Sequence, residues 1–222
     1  MSFNIAIDGP AGAGKSTIAK MVAKKLGFTY VDTGSMYRAM ALACIRAGLK
    51  ASDETEVCKV CEGLDVSLEY DENGAQQVIL NGENVNAYIR TEEVGNMTSA
   101  IAVYGPVREK LVELQRKLGT KFDVIMDGRD IGTCVLKDAP VKIYLTASSR
   151  TRAERRYKEL TEKGVECNLD DIEKDIIDRD YRDMNREISP LKQADDAILV
   201  DSSNMGIDEV VNELVRIIEE AR

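Results

Sequence analysis

The period of the apolar positions changes several times along the chain, and the changes mark out its elements. Residues 3–7 form a short apolar run, and a Gly-rich stretch follows from Gly9 to Gly14. Over 16–26 the apolar residues Ile18, Ala19, Val22, Ala23 and Leu26 recur at helical spacing, with Gly27 placed as a C-terminal cap. A second strand is expected over 28–31. Helices are expected over 36–47, closed by Gly48, and over the acidic stretch 52–63. The period then drops to two: Leu64, Val66, Leu68 and Tyr70 alternate with Asp65, Ser67 and Glu69, as in a half-buried strand. A turn over 71–74, a strand over 78–80 and a hairpin turn at Asn81-Gly82 into Val85 complete a small antiparallel sheet. Helices over 92–103 and 107–118 are expected on either side of a break at Gly105-Pro106. Buried strands follow over 123–126 and 141–146, then charged helices over 150–163, ending at Gly164, and 169–186. A strand over 198–200 precedes an amphipathic helix marked by Ile207, Val210, Val211, Leu214, Ile217 and Ile218.

Apolar strands that alternate with helices imply a parallel sheet covered on both faces, an α/β architecture. The chain has 222 residues, 44% hydrophobic and 31% charged, so a folded core is expected rather than disorder. No apolar run approaches the roughly 20 residues that span a bilayer, and the first residues lack the pattern of a secretory signal. The net charge of −9 disfavours binding to a nucleic-acid backbone. Residues 50–97 carry 3 basic and 11 acidic side chains, so the acidity sits in one central segment and leaves room for an anion site elsewhere. The five cysteines, an odd number, suggest reduced thiols and a cytoplasmic setting. Cys58-Lys59-Val60-Cys61 lacks the further ligands a zinc site needs. The chain has no histidine, so any catalysis must use carboxylates, Lys, Arg, hydroxyls, thiols or a bound metal.

The stretch Gly9-Pro10-Ala11-Gly12-Ala13-Gly14-Lys15-Ser16, followed by Thr17, fits G-x-x-x-x-G-K-[ST] between a strand and a helix. Small residues let the backbone fold around a phosphate with its N–H groups inward, and the helix presents its N-terminus to the anion. Lys15 can reach the outer phosphates, and the Ser16 hydroxyl can ligate Mg²⁺. ATP with Mg²⁺ is the expected ligand.

Further clusters point to a second anionic substrate. In Val31-Asp32-Thr33-Gly34-Ser35-Met36-Tyr37-Arg38 a strand ends and a helix begins, with Arg38 positioned to join the helix N-terminus in an anion site. In Val124-Ile125-Met126-Asp127-Gly128-Arg129-Asp130, Asp127 stands where a strand-end carboxylate would meet the metal, directly or through water. Arg129 and Asp130 follow at the strand's C-terminal edge. Arg179, Arg182 and Arg186 fall within about 60° of one another on one helix, with Asp175 and Asp183 beside them. Arg150, Arg152, Arg155 and Arg156 form another cluster, readable as a lid over the triphosphate or as a solvated face.

Together, GPAGAGKST, VDTGSMYR, MDGRDIGT, DAPVKIYL and RDYRDMNREISPL resemble the bacterial cytidylate kinase family, and the likeness runs from Ile5 into the last helix. The resemblance implies transfer of the γ-phosphoryl group of ATP to CMP or dCMP, with Mg²⁺; a monomer is expected. It implies a P-loop core over 1–32, 107–147 and 188–222. A monophosphate-binding domain would take 33–106, with the acidic insert at about 64–86, and a lid with the arginine-rich helix 148–187. Carried over by motif, Thr33, Arg38 and Arg129 would hold the acceptor phosphate, and Ser99, Arg108 and Asp130 would read the cytosine edge. Arg179 and Asp183 would meet the pentose and Arg186 would bridge the nucleotides, so that Lys15, Arg129, Arg179 and Arg186 are the catalytic cations. Arg152 and Arg156 would belong to the lid. Two other readings stay open at this point: another small-molecule P-loop kinase, and a nucleotide-dependent switch.

Overall fold

The structure, a computed structural model, describes residues 2–72 and 74–222. Met1, and Asn73 in the turn expected at 71–74, lie outside the described residues. The elements in chain order are β1 (Ile5–Asp8), α1 (Lys15–Leu26), β2 (Thr29–Asp32), α2 (Thr33–Arg46), α3 (Glu54–Gly63), β3 (Val66–Tyr70), β4 (Gln76–Leu80) and β5 (Glu83–Asn84). Then come α4 (Glu92–Ile101), α5 (Gly105–Lys121), β6 (Val124–Gly128), a π-helical turn (Ile131–Val135), β7 (Val141–Thr146), α6 (Ser149–Glu162), α7 (Leu169–Asn185), β8 (Ile198–Asp201) and α8 (Ile207–Glu220). The chain forms two compact units, Met1–Tyr30 with Phe122–Arg222, and Val31–Lys121.

The first unit is built on a five-stranded sheet of order β2-β6-β1-β7-β8, with β2 running on into the second unit. The central strand β1 pairs in parallel with β6 and β7, and β7 pairs in parallel with β8. All four residues of β1 are buried, as a strand covered on both faces requires. Ile5, Ile7, Ile125, Ile143 and Leu145 meet Ile18 and Val22 of α1 and Leu214 and Ile218 of α8 in one core. The register places Asp8 opposite Gly128 and Tyr144. The loops that follow β1 and β6 therefore leave the same carboxyl edge, where open α/β sheets take ligands.

In the second unit, α2 lies in a core of Met36, Met40 and Cys44 with Val57 of α3, Val78 and Leu80 of β4, and Leu111 of α5. The antiparallel sheet β3-β4-β5 is the acidic insert expected from the alternating pattern. Its hairpin turns at Asn81 (φ 49°) and Gly82 (φ 83°), the left-handed pair that Asn-Gly favours.

Two local expectations change. Gly105 and Pro106 do not interrupt a helix; they start α5, where proline's missing N–H and fixed φ suit the first turn. The second unit also keeps α5 and ends at Lys121, whereas the expected boundary is 106. Val107 and Leu111 of α5 belong to the second unit's core, which explains the difference. The π-helical turn after β6 is absent from the sequence expectations, because five residues of mixed character carry no period.

Candidate active site

The loop after β1 is shaped by what cannot be there. Gly9 adopts φ 149°, and a Cβ on it would lie 2.0 Å from the Leu145 carbonyl oxygen of β7. Gly12 and Gly14 also take positive φ, and Gly14 caps α1 with no acidic residue in the helix's first turn. The loop thus turns onto an unblocked helix N-terminus, which favours an anion. Thr17 is exposed on that turn, while Pro10 and Ala13 are buried.

Lys15 is buried, and its Nζ donates to the Pro10 carbonyl at 2.7 Å. Its pKa is pushed down to about 7, by burial first and by the charge of Arg129 next, against the pull of Asp127, Asp8 and Asp183. An anionic phosphate beside Nζ would oppose both causes and favour the ammonium.

Asp127, at the end of β6, is also buried and is held from two sides. Its Oδ2 accepts from Ser16 Oγ at 2.8 Å and its Oδ1 from the Tyr30 hydroxyl at 2.8 Å. A hydroxyl and a carboxylate side by side next to a phosphate loop are hard oxygen donors, and the pair fits Mg²⁺. No group of three or more Asp, Glu, Cys or His able to cage a metal occurs among the described residues. A donor pair suits a metal that takes its remaining ligands from phosphate and water.

Asp8 carries no signal in the sequence, because a carboxylate ending a short strand has no motif of its own. It is buried, and its two oxygens accept from the backbone N–H groups of Ile131 and Gly132, each at 2.7 Å. Asp8 thereby ties the entry of the phosphate loop to the turn that follows Arg129 and Asp130. Its pKa rises from an ordinary 3.8 to about 6. Burial is the main cause; the two backbone hydrogen bonds oppose it and Asp130 adds to it. The folded state thus holds this proton more tightly than the unfolded chain. Its stabilising contribution is complete below pH 3.8 and is lost as pH rises through 6. Urea unfolding of the wild type and Asp8→Asn should show their stability difference moving by about 2 kcal/mol against the wild type between about pH 4.5 and 7. A difference that stays flat across this range would contradict the assignment.

The arginines are less uniform than their sequence clusters. Arg129 Nε donates to Asp183 Oδ2 at 2.9 Å, joining the strand end to α7. Burial opposes ionisation of Asp183, yet Arg129, Arg179 and Arg186 together hold its pKa below the usual carboxylate range. Arg186 donates from Nε to the Ser189 carbonyl at 2.6 Å and brings Nη2 to 3.7 Å from Asp130 Oδ1, with both side chains largely buried. Arg182 does not join them: it is exposed and bonds to the carbonyl of Asp178 in its own helix. Arg152, read as a lid residue, is buried. Its Nη2 meets Asp180 Oδ2 at 2.6 Å, Nη1 donates to the Ala11 carbonyl and Nε to that of Ala147, each at 2.9 Å. Arg156 is exposed and pairs with Glu159.

The second unit holds the other expected residues. Asp32 caps α2, its Oδ1 accepting from Ser35 N at 3.0 Å, and Thr33 is buried in the first turn. Arg38 donates to the Ile89 carbonyl at 3.0 Å, and a side chain on Gly95 would reach its guanidinium within 3.4 Å. Arg108 is buried, donates to the Ala102 carbonyl and stands 5.8 Å from the centre of the Tyr37 ring. Ser99 is half-buried on α4; its neighbour Thr98 spends its hydroxyl on the Val94 carbonyl. Cys61 has its sulfur 3.8 Å from that of Cys44, on another helix.

Comparison with known proteins gives one consistent result. The cytidylate kinase family model matches residues 5–220. The cytidylate kinase of Clostridium acetobutylicum is 52% identical over 218 residues, covering 98% of this chain and 98% of that protein. The cytidylate kinase of Lactobacillus johnsonii is 50% identical over 217 residues, covering 98% and 94%. Among solved structures, an uncharacterized protein from Eubacterium ventriosum matches 98% of this chain and 99% of its own with a TM-score of 0.54. At 12% identity that likeness concerns the fold alone.

Proposed function

The chain belongs to the cytidylate kinase family, and from that premise we propose how its residues divide the transfer of the γ-phosphoryl group of ATP to CMP or dCMP. The observation that carries the reading is the cluster at the sheet's carboxyl edge. There the phosphate loop, Lys15, the Ser16–Asp127 pair and Arg129 belong to one compact unit.

Phosphoryl transfer needs little covalent chemistry from the protein; positioning and charge stabilisation do most of the work. The loop from Gly9 to Gly14, through the backbone N–H groups of its residues other than Pro10, and the N-terminus of α1 at Lys15–Thr17 bind the triphosphate. Lys15 holds its outer phosphates. Ser16, with Asp127 directly or through water, would hold Mg²⁺, which when bound neutralises phosphate charge and orients the oxygens. Thr33, Arg38 and Arg129 take the acceptor phosphate. Arg129 arrives oriented, because Asp183 holds its Nε at 2.9 Å and the Gly128 carbonyl accepts from its Nη1 at 3.4 Å. Arg179 and Asp183 meet the pentose, and Arg186 spans the two nucleotides.

Cytosine presents an exocyclic amine donor and ring acceptors. Asp130 accepts from the amine, Arg108 donates to the acceptors and Ser99 completes the edge. Uracil reverses two of those polarities and would leave buried groups unpaired, a mismatch that discriminates strongly. The buried setting of Asp130 and Arg108 supports this reading. Action as a monomer is part of the same proposal. No helix among the described residues is long and apolar enough to cross a membrane, and a cytoplasmic enzyme is part of the same proposal.

The test is ADP production with ATP and Mg²⁺ against CMP, dCMP, UMP, AMP and GMP in parallel. Turnover confined largely to CMP and dCMP is expected, with UMP slower by at least about a hundred-fold. Equal turnover of UMP would overturn the roles given to Arg108 and Asp130 and leave the kinase standing. No acceptor-dependent turnover from folded, ATP-binding protein would overturn the kinase reading itself.

A further inference from the structure

The acidic insert has no part in the chemistry above, yet one of its side chains breaks the insert's own pattern. On β4, Val78 and Leu80 face inward and are buried in the core that holds α2. Gln76 lies two residues before Val78 and so shares that face. An apolar residue is expected there, since a polar group on an inward face is costly unless its hydrogen bonds are met.

They are met at a single place. Gln76 Oε1 accepts from the backbone N–H of Asp32 at 2.8 Å. Its Nε2 donates to Ser35 Oγ at 2.7 Å and to the Asp32 carbonyl at 3.4 Å. Ser35 Oγ in turn donates to the Asp32 carbonyl at 2.7 Å. Asp32 is further held by Arg90 at 3.1 Å, and Gln76 itself is anchored through its carbonyl to Asn86 Nδ2 at 3.0 Å. The amide therefore grips both residues that flank Thr33 and Gly34, at the point where β2 becomes α2. All of these contacts lie within the second unit.

We propose that Gln76 is a positioning residue for the acceptor phosphate: the insert fixes, through this one amide, the first turn of α2, which carries Thr33 and leads into Arg38 on the next turn. The inference rests on the reading that Thr33 and Arg38 bind that phosphate. It gives the insert a role in the affinity for the monophosphate and none in that for ATP.

The experiment is steady-state kinetics on the full chain, with CMP and ATP varied separately, for the wild type, Gln76→Leu, Ser35→Ala, the double variant and Arg38→Met. Gln76→Leu should raise KM for CMP about five- to ten-fold, the loss expected for a hydrogen-bonded clamp, and leave KM for ATP and kcat within about two-fold. Ser35→Ala, a smaller change that keeps the fold accessible, should raise KM for CMP about two- to five-fold. The double variant should lose little more than Gln76→Leu alone, because both remove the same clamp. An unchanged KM for CMP in Gln76→Leu or in Ser35→Ala, with Arg38→Met raising it at least about ten-fold, would overturn the inference and spare the acceptor-site reading. Equal losses in both KM values and in kcat would show a merely structural residue and overturn it as well. An unchanged KM for CMP in Arg38→Met would bring down the acceptor-site reading and this inference with it.

Discussion

Gly9→Ala is expected to lower stability by about 3 kcal/mol or more and to weaken ATP binding at least about a hundred-fold. Two costs combine. The backbone at φ 149° lies outside the range that side chains tolerate, and the new Cβ would sit 2.0 Å from the Leu145 carbonyl oxygen. That oxygen belongs to a buried strand in the middle of the sheet, so it has nowhere to retreat. The loop must shift instead, and a displacement of an ångström moves its N–H groups off the phosphate. For a chain of this size the stability loss corresponds to a fall in Tm of roughly 6–12 °C. Gly27→Ala is the control. It has φ 74° but nothing within 4 Å of the added Cβ, so only the conformational cost of about 1 kcal/mol applies. Calorimetry and ATP titration on both variants check the contrast. Equal effects would show that the contact with Leu145 is not what makes Gly9 necessary.

Arg152→Met should be the second large effect, at about 3–5 kcal/mol, because it strips a buried carboxylate of its partner. Arg152 and Asp180 are both buried, and Asp180 Oδ1 already has no hydrogen-bond partner. The same guanidinium also satisfies the carbonyls of Ala11 in the phosphate loop and Ala147 after β7. Loss of stability should thus come with weaker ATP binding. Asp180→Leu alone leaves the opposite charge stranded and should also destabilise. The double variant, Arg152→Met with Asp180→Leu, should recover a good part of the loss, since apolar replacement of a buried pair is often close to neutral. Chemical unfolding of all four proteins reads the coupling directly. Strictly additive losses would mean that the ion pair is not the source of the effect.

Much of the α/β core was legible because its signals are local. The phosphate loop needs small residues at fixed spacing, and a strand before it and a helix after it complete the motif. The buried strands β6 and β7 read as continuous apolar runs, and β3 as an alternating one. The start of α5 is ambiguous in the sequence because a Gly-Pro pair is equally at home in a break and in a first turn. Within the candidate site, Lys15 bonds back to Pro10 of the loop and Ser16 bonds to Asp127. Arg152 and Arg182 do not behave as their clusters suggested, since charge spacing on a helix does not say which face meets the core. Arg152 bonds to Asp180 and the Ala11 carbonyl; Arg182 is exposed and bonds to the Asp178 carbonyl of its own helix.

By itself the sequence determined the phosphate loop, the alternation of strands and helices, the acidic antiparallel insert and the family. Each of these is written in neighbours a few residues apart, where covalent spacing sets geometry. Only the tertiary structure decided that Asp8 caps the turn after Arg129, that Arg152 braces the phosphate loop, and that Gln76 holds the start of α2. Those contacts join residues separated by 123, 141 and 44 positions. Strand register and helix packing create such pairs, and no local pattern of residue types encodes them.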